Sequence, residues 1–266
     1  AFFRHFITGL NFFYFHLNIQ QVVNQFQKDF HIVYNKFRKI DYSRMPADKI
    51  YEHFQKLEDE ILRKWHAPII NDTLCMVHYG TFKKLTSKWL SHLGDAFYND
   101  LLAGNGNLES AEPTKRLIVL SGIVSKDAEL KNLILTTSND QCLEALNQSS
   151  HQDFFKMVLD YIDRYGFRCM SEMKLEQKDL HQEPSLFFVF LKNLINCGQT
   201  DLEAYEKRER DIRLNAEALL EKNISGFRKI IYKWSLKHAR KAVMNRENTR
   251  FCRTRIYGVV RSMFYA

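Results

Sequence analysis

The sequence predicts an all-α fold, a multi-helix domain with long helices at its N- and C-terminal ends and short helices between. Three observations carry this reading. Four Pro and ten Gly are few for 266 residues, which favours long uninterrupted helices over many tight turns. Apolar residues make up 45% of the chain and recur at three- and four-residue steps along most of it, the spacing of one helix face. No stretch reads as a strand.

Residues 1–40 read as one long helix, or two with a slight break at Gly9, because Phe12, Phe15, Ile19, Val22, Phe26 and Phe30 repeat at helical steps. Arg44-Met45-Pro46 stops it. Pro46 then suits the first turn of a second helix running to about His66, with Asp48 near its positive end. Pro68 to Leu93 forms a third, entered through Asn71-Asp72-Thr73, residues whose short polar side chains cap free backbone N–H groups. The loop 103–113 follows, and its two glycines are too few and wrongly spaced for a phosphate-binding loop. Ser110 or Glu112 caps a helix over 113–124, and Ser125 and Ser138 cap two short ones. His151 to Tyr165 is amphipathic and closed by Gly166. Residues 167–184 have neither period, and a long irregular segment within a helical chain points to function. A helix from Ser185 to Cys197 ends at Gly198, and two long helices broken near 223–226 fill the remainder.

Length and hydrophobicity allow one domain over residues 1–266 with a substantial core. The five Cys are odd in number and never spaced C-x-x-C, which predicts reduced thiols in a cytoplasmic compartment, without a disulfide frame or structural zinc. No run of eighteen apolar residues exists, so no membrane partner is expected. Both ends lie inside apolar patterns without capping residues, and the chain is expected to be a fragment of a longer polypeptide.

Charge is unevenly spread. Residues 226–266 hold eleven Lys or Arg against the single acid Glu247, so this segment carries +10 of a chain whose net charge is +8. At 100° per residue Arg246, Arg250 and Arg253 share one face with Ala239, Val243 and Tyr257. Planar guanidiniums of this kind grip phosphate or carboxylate with two parallel hydrogen bonds, although a solvated basic face is the simpler account. The ten His are spread along the chain and none forms an H-E-x-x-H or another ligand spacing, so no metal site is expected, and His5 and His16 read as ordinary helix filling. No nucleophile elbow, Walker motif or kinase signature is present, so no catalytic residue is assigned. What remains is binding. Arg168 and Glu172, four residues apart after Gly166, form one polar cluster, while Arg246, Glu247, Arg250 and Arg253 form the other.

Several stretches resemble a known group of enzymes. Tyr165-Gly166-Phe167-Arg168, then Ser171-Glu172 and Glu183-Pro184, resembles a motif of the phosphoenolpyruvate-synthase-like phosphotransferases, a group that includes the rifampicin phosphotransferases. Trp65 to Pro68 with Asn71, Asp72 and Met76 is similar to the same central region. So are Leu101 to Gly104 with Glu109 to Pro113, and Ala239 to Val243 with Arg246, Glu247 and Arg250, through to Arg255. The resemblance implies a helical middle domain that binds a small-molecule acceptor, anionic or apolar. It implies as partners a flanking ATP-grasp domain and a swivelling domain whose phosphohistidine delivers the phosphoryl group. ATP and Mg2+ are implied for the longer enzyme and no cofactor for this chain, which alone is expected to be inactive. Phe167 stands where the group usually has His, and the Pro-Arg-Trp run that often precedes its Glu-Asp-Pro is absent. These departures point away from pyruvate, towards an apolar or antibiotic-like acceptor or none. Two other readings are a stand-alone basic module binding polyanions and a scaffold docking an acidic protein. Nucleic acid is disfavoured, because the aromatics sit at core spacings.

Overall fold

Helical periodicity becomes helix along nearly the whole chain. A computed structural model describes residues 2–104, 108–169 and 171–266, with side chains from residue 13 onward. The expectations for His5 and Phe12 concern side chains outside the described residues. Among the described residues there are eleven α-helices and no strand: α1 Phe2–Phe37, α2 Ala47–Glu60, α3 His66–Trp89, α4 Phe97–Asp100, α5 Glu112–Lys126, α6 Ala128–Thr136, α7 Asn139–Asn147, α8 Gln152–Tyr165, α9 Ser185–Asn196, α10 Leu202–Asn223 and α11 Gly226–Phe264. Three short 3-10 turns, at Leu62–Lys64, Ser91–Leu93 and Glu109–Ala111, lie between them.

Several helix starts differ from the sequence reading. α1 is continuous through Gly9. α2 stops at Glu60 and gives way to a 3-10 turn, so it does not reach His66. α3 begins at His66, with Pro68 in its first turn, where a missing N–H costs nothing. Asn71-Asp72-Thr73 therefore lie inside α3 and cap nothing. Neither Ser110 nor Glu112 caps α5, whose N-cap is Ala111. Ser125 is within α5, and the cap of α6 is Asp127, whose carboxylate accepts from the Leu130 N–H at 2.9 Å. Ser138 does occupy the N-cap position of α7, with its hydroxyl turned to Gln141. Short polar residues are interchangeable as caps in a sequence pattern, and only backbone geometry selects among them.

The chain divides into two compact units, Ala1–Leu108 with Glu209–Arg253, and Glu109–Arg208 with Thr254–Ala266. In the first, Phe82, Leu90, Leu101 and Tyr232 are wholly buried, with Leu220 and Ala239 beside them. The aromatic stripe of α1 is core, as its spacing implies: Phe30 stacks on Tyr34 at 5.7 Å and Phe26 meets the edge of Trp65 at 5.0 Å. The Tyr232 hydroxyl shares a 2.7 Å hydrogen bond with Thr86, so that burial leaves no orphaned polar group there.

In the second unit α5, α8 and α9 surround a core in which Leu120, Val124, Val158, Phe187, Phe188 and Leu191 are wholly buried. The irregular segment 167–184 is held against this unit by Arg261 near the end of α11, a side chain with no solvent exposure. Its guanidinium donates to the carbonyls of Glu172 and Lys174, each at 3.0 Å, and to that of Phe167 at 3.3 Å. The Asp179 carboxylate lies 3.4 Å away and supplies the balancing charge. Tyr265 adds a 2.6 Å hydrogen bond from its hydroxyl to the Glu176 carbonyl. A buried cation is tolerable only when its charge is balanced and most of its donors are met, and here three carbonyls and a carboxylate engage the two terminal nitrogens while Nε is left without a partner.

Two glycines make room for this arrangement. A Cβ on Gly258 of α11 would overlap the Phe167 side chain. One on Gly166 would overlap the His181 ring, and Gly166 itself keeps a helical φ of −59°, so close approach and not a left-handed cap explains it.

Replacing Arg261 with Met is expected to destabilise the fold by about 3–5 kcal/mol, because Asp179 and three carbonyls lose their donor inside the protein. Gly258→Ala is expected to cost about 1–3 kcal/mol by overpacking against Phe167. Urea unfolding of both variants checks this, and unchanged midpoints would remove Arg261 as the anchor of segment 167–184.

Candidate functional site

In the second unit, the irregular segment brings the first predicted polar cluster together. Arg168 and Glu172 pair at 2.6 Å between Nε and Oε1. The other carboxylate oxygen of Glu172 accepts from the Thr254 hydroxyl at 3.0 Å. Close by in sequence, Arg255 holds Glu109 at 2.6 Å. Three of the stretches that carry the resemblance, 109–113, 165–172 and the end of 239–255, thus meet in space through the Thr254–Glu172 hydrogen bond and the Arg255–Glu109 ion pair. Neither Arg168 nor Glu172 is fully buried, so their pairing is worth little by itself and both remain within reach of a ligand.

Arg168 also lines a cleft of about 270 Å³ whose other walls include Leu117, Tyr161, Leu180, Phe190 and Leu194. Burial pushes the Tyr161 hydroxyl up to about 12, against the opposing pull of Arg168, so the phenol is neutral at physiological pH and can donate or accept a hydrogen bond. A mainly apolar cleft with a guanidinium, a phenol, Thr114 and Asn193 at its walls suits a molecule with an apolar body and a polar or anionic edge.

The second predicted cluster belongs to the first unit. Arg246 faces Asp72 of α3 at 3.6 Å, an ion-pair distance too long for a hydrogen bond. Arg250 binds Glu247 one turn away at 3.1 Å. Arg253 is half-buried, and its Nε is enclosed without a hydrogen-bond partner. Asn71, wholly buried, donates to the Ala242 carbonyl at 3.4 Å while its own side-chain oxygen is left without a partner. The sequence pattern suits Asn71 and Asp72 to capping, yet inside α3 they face α11 and join this cluster. Burial raises the Cys75 thiol above its ordinary value, so it is not a ready nucleophile.

Most of the basic charge of the C-terminal segment is matched within its own unit. Lys229 and Lys233 share Glu221, Arg240 binds Glu217 and the Leu101 carbonyl, and Arg246, Arg250, Arg255 and Arg261 have the carboxylates already described. On the face that the sequence presents as bare cations, Arg246 meets an acid from a distant helix and Arg250 one from its own helix, while Arg253 meets none. This weakens the reading as a general polyanion binder.

One cluster escaped the sequence reading. His16 of α1, His78 of α3 and His238 of α11 meet in the first unit, with ring centroids 5.0 to 5.1 Å apart. His16 Nδ1 lies 3.1 Å from His78 Nε2, and Trp234 packs 4.5 Å from His238. These residues are the ones among the described chain that could hold a metal ion. Burial, then the imidazoles of His238 and His16, lower His78 from 6.5 to about 4. Burial also lowers His238, helped by His16, Lys241 and Lys237. His16 is therefore not mere helix filling. Its partners come from sequence positions 62 and 222 residues away, where no local spacing reaches.

Residues 70–247 match the family model described as the rifampicin phosphotransferase fourth domain. The chain belongs to this family. The match covers about two-thirds of the sequence and supports a helical domain of phosphoenolpyruvate-synthase-like phosphotransferases. It takes in Asn71, Asp72, Arg168, Glu172, Arg246 and Glu247, and stops short of Arg250 and Arg253. No curated protein matches the chain. Among the described residues no helix is long and apolar enough to cross a membrane.

Because the His78 value is depressed in the folded state, the unfolded chain binds a proton that the folded one refuses. Stability is therefore expected to be full above pH 6.5 and to fall as pH drops from about 6.5 towards 4. In chelator-containing buffer the loss should be roughly 2–3 kcal/mol, and His78→Gln should flatten it. Urea midpoints measured across that range check the sign; an equal acid loss in the variant would place the titrating group elsewhere.

Proposed function

We propose that this rifampicin phosphotransferase fourth-domain chain is the acceptor-binding helical part of a longer phosphotransferase. The observation that carries the reading is Arg168, a residue of the Tyr165–Arg168 element, at the wall of the apolar cleft formed by Leu117, Tyr161, Leu180, Phe190 and Leu194. The cleft takes the apolar part of the acceptor, Tyr161 hydrogen-bonds it, and Arg168 faces its polar edge or the incoming phosphoryl group. A guanidinium there would spread the negative charge that builds up during phosphoryl transfer. At about 270 Å³ the cleft accommodates one portion of a drug-sized acceptor and not all of it.

ATP and Mg2+ belong, in this reading, to flanking ATP-grasp and phosphohistidine domains of the same cytoplasmic polypeptide. The donor set described here does not fit a Mg2+–nucleotide. Glu109, Glu172, Asp179 and Glu247 are each engaged by a guanidinium, which opposes a second cation at the same oxygens. No step is assigned to the nucleotide in this chain.

Calorimetric titration with rifampicin, and separately with pyruvate, tests the acceptor class. Saturable binding of rifampicin is expected, weakened about tenfold or more by Arg168→Ala and by the cleft-filling Leu194→Trp, with little change in Tm for the former. Binding that neither substitution alters would sink the assignment of the cleft, and binding of pyruvate alone would restore an anionic acceptor. In the longer polypeptide, Arg246→Ala should lower phosphoryl transfer by orders of magnitude at nearly constant Tm, since its ion pair is long and half-exposed. A large loss of stability with normal turnover would make Arg246 structural.

A further inference from the structure

We infer that His16, His78 and His238 form a binding site for a divalent late-transition metal of the Zn2+ type, which ties α1, α3 and α11 of the first unit together. Three imidazoles from three helices converge on one point. Their donor nitrogens all lie within 4.8 Å of one another. For tetrahedral zinc with Zn–N of about 2.0–2.1 Å, neighbouring nitrogens sit about 3.3 Å apart and ring centroids about 5.2 Å apart. The His16–His78 nitrogen pair is already at 3.1 Å. All three centroid separations, 5.0, 5.1 and 5.1 Å, match the value that zinc requires.

The chemistry of the donor set selects the ion. Imidazoles without a carboxylate do not attract Ca2+ or Mg2+, which take oxygen ligands, whereas Zn2+, Ni2+ and Cu2+ accept nitrogen readily. Trp234 walls one side of the cluster and limits competing water. Three protein ligands leave a fourth position for water or an anion, and the nearby Lys237 and Lys241 favour an anion there.

The site also continues a polar seam. One turn along α1, Gln20 accepts from Asn245 of α11 at 3.3 Å, and two turns back along α3, Asn71 reaches the Ala242 carbonyl. The seam aligns the same three helices in one register, so the imidazoles are placed by packing that does not depend on the metal.

The untagged chain, stripped with chelator, is titrated with ZnCl2 and, in parallel, with CoCl2. One equivalent of Zn2+ is expected to bind and raise Tm in a concentration-dependent way, and Co2+ should give the intense visible absorption of a tetrahedral site. His16→Gln and His238→Gln should each weaken binding about a hundredfold or more, as removal of a direct ligand exceeds the effect of losing an outer-shell partner. His92→Gln, whose ring binds Asn223 outside the cluster, should change nothing. Absence of stoichiometric binding to the parent chain, or equal affinity in the His16 and His238 variants, overturns the site. If either variant fails to fold, the Co2+ spectrum of the parent protein decides alone: a tetrahedral band supports the site and an octahedral, weakly coloured complex rejects it.

Discussion

The buried guanidinium of Arg261 holds the second unit's irregular segment in place. Segment 167–184 has no helix of its own to satisfy its carbonyls, and an unpaired buried carbonyl is expensive. Arg261 answers three of them, and Asp179 balances the charge. Asp179 in turn accepts from the His181 N–H at 3.0 Å, while Leu180 closes on the Gly166 carbonyl at 2.8 Å. Arg168 and Glu172 sit in the part of the segment that this anchor fixes. Their usefulness as a binding pair follows from a residue more than eighty positions later that touches no ligand itself.

A different device organises the first unit. Its three helices α1, α3 and α11 are joined by side-chain polar contacts as well as by apolar packing. His16, His78 and His238 come first, then the Gln20–Asn245 and Asn71–Ala242 hydrogen bonds. Apolar stripes alone tolerate sliding by a turn, because a Leu fits many holes. Hydrogen-bonded polar pairs do not, since each slip leaves buried donors and acceptors unpaired. The polar seam fixes the register in which Asp72 faces Arg246, and so the geometry of that cluster.

Both candidate clusters show the same electrostatic logic. Three of the four arginines that the sequence offers as ligand groups are met by a carboxylate: Arg168 by Glu172, Arg246 by Asp72, Arg250 by Glu247. Pairing of this kind holds a guanidinium in a defined orientation at modest cost, because partly exposed pairs are weak and exchange readily for a better anion. A phosphoryl group, with more charge and more acceptor oxygens than a carboxylate, is such an anion.

The sequence by itself determined the all-α class, the long terminal helices, the irregular 167–184 segment and the break before Gly226. These features rest on local spacing and on Gly and Pro, which act within a few residues. It also marked Arg168 with Glu172, four apart, as a pair, because short separation along the chain allows contact without knowledge of the fold. Only the tertiary structure decided which polar residues cap and which are buried, as Asn71 and Asp72 illustrate. The same is true of the acids that would neutralise the basic C-terminal face, and of the meeting of His16 with His78 and His238. Those contacts join residues tens to hundreds of positions apart on separate helices. Their physical cause is packing of whole elements, a constraint that no periodicity within one element records.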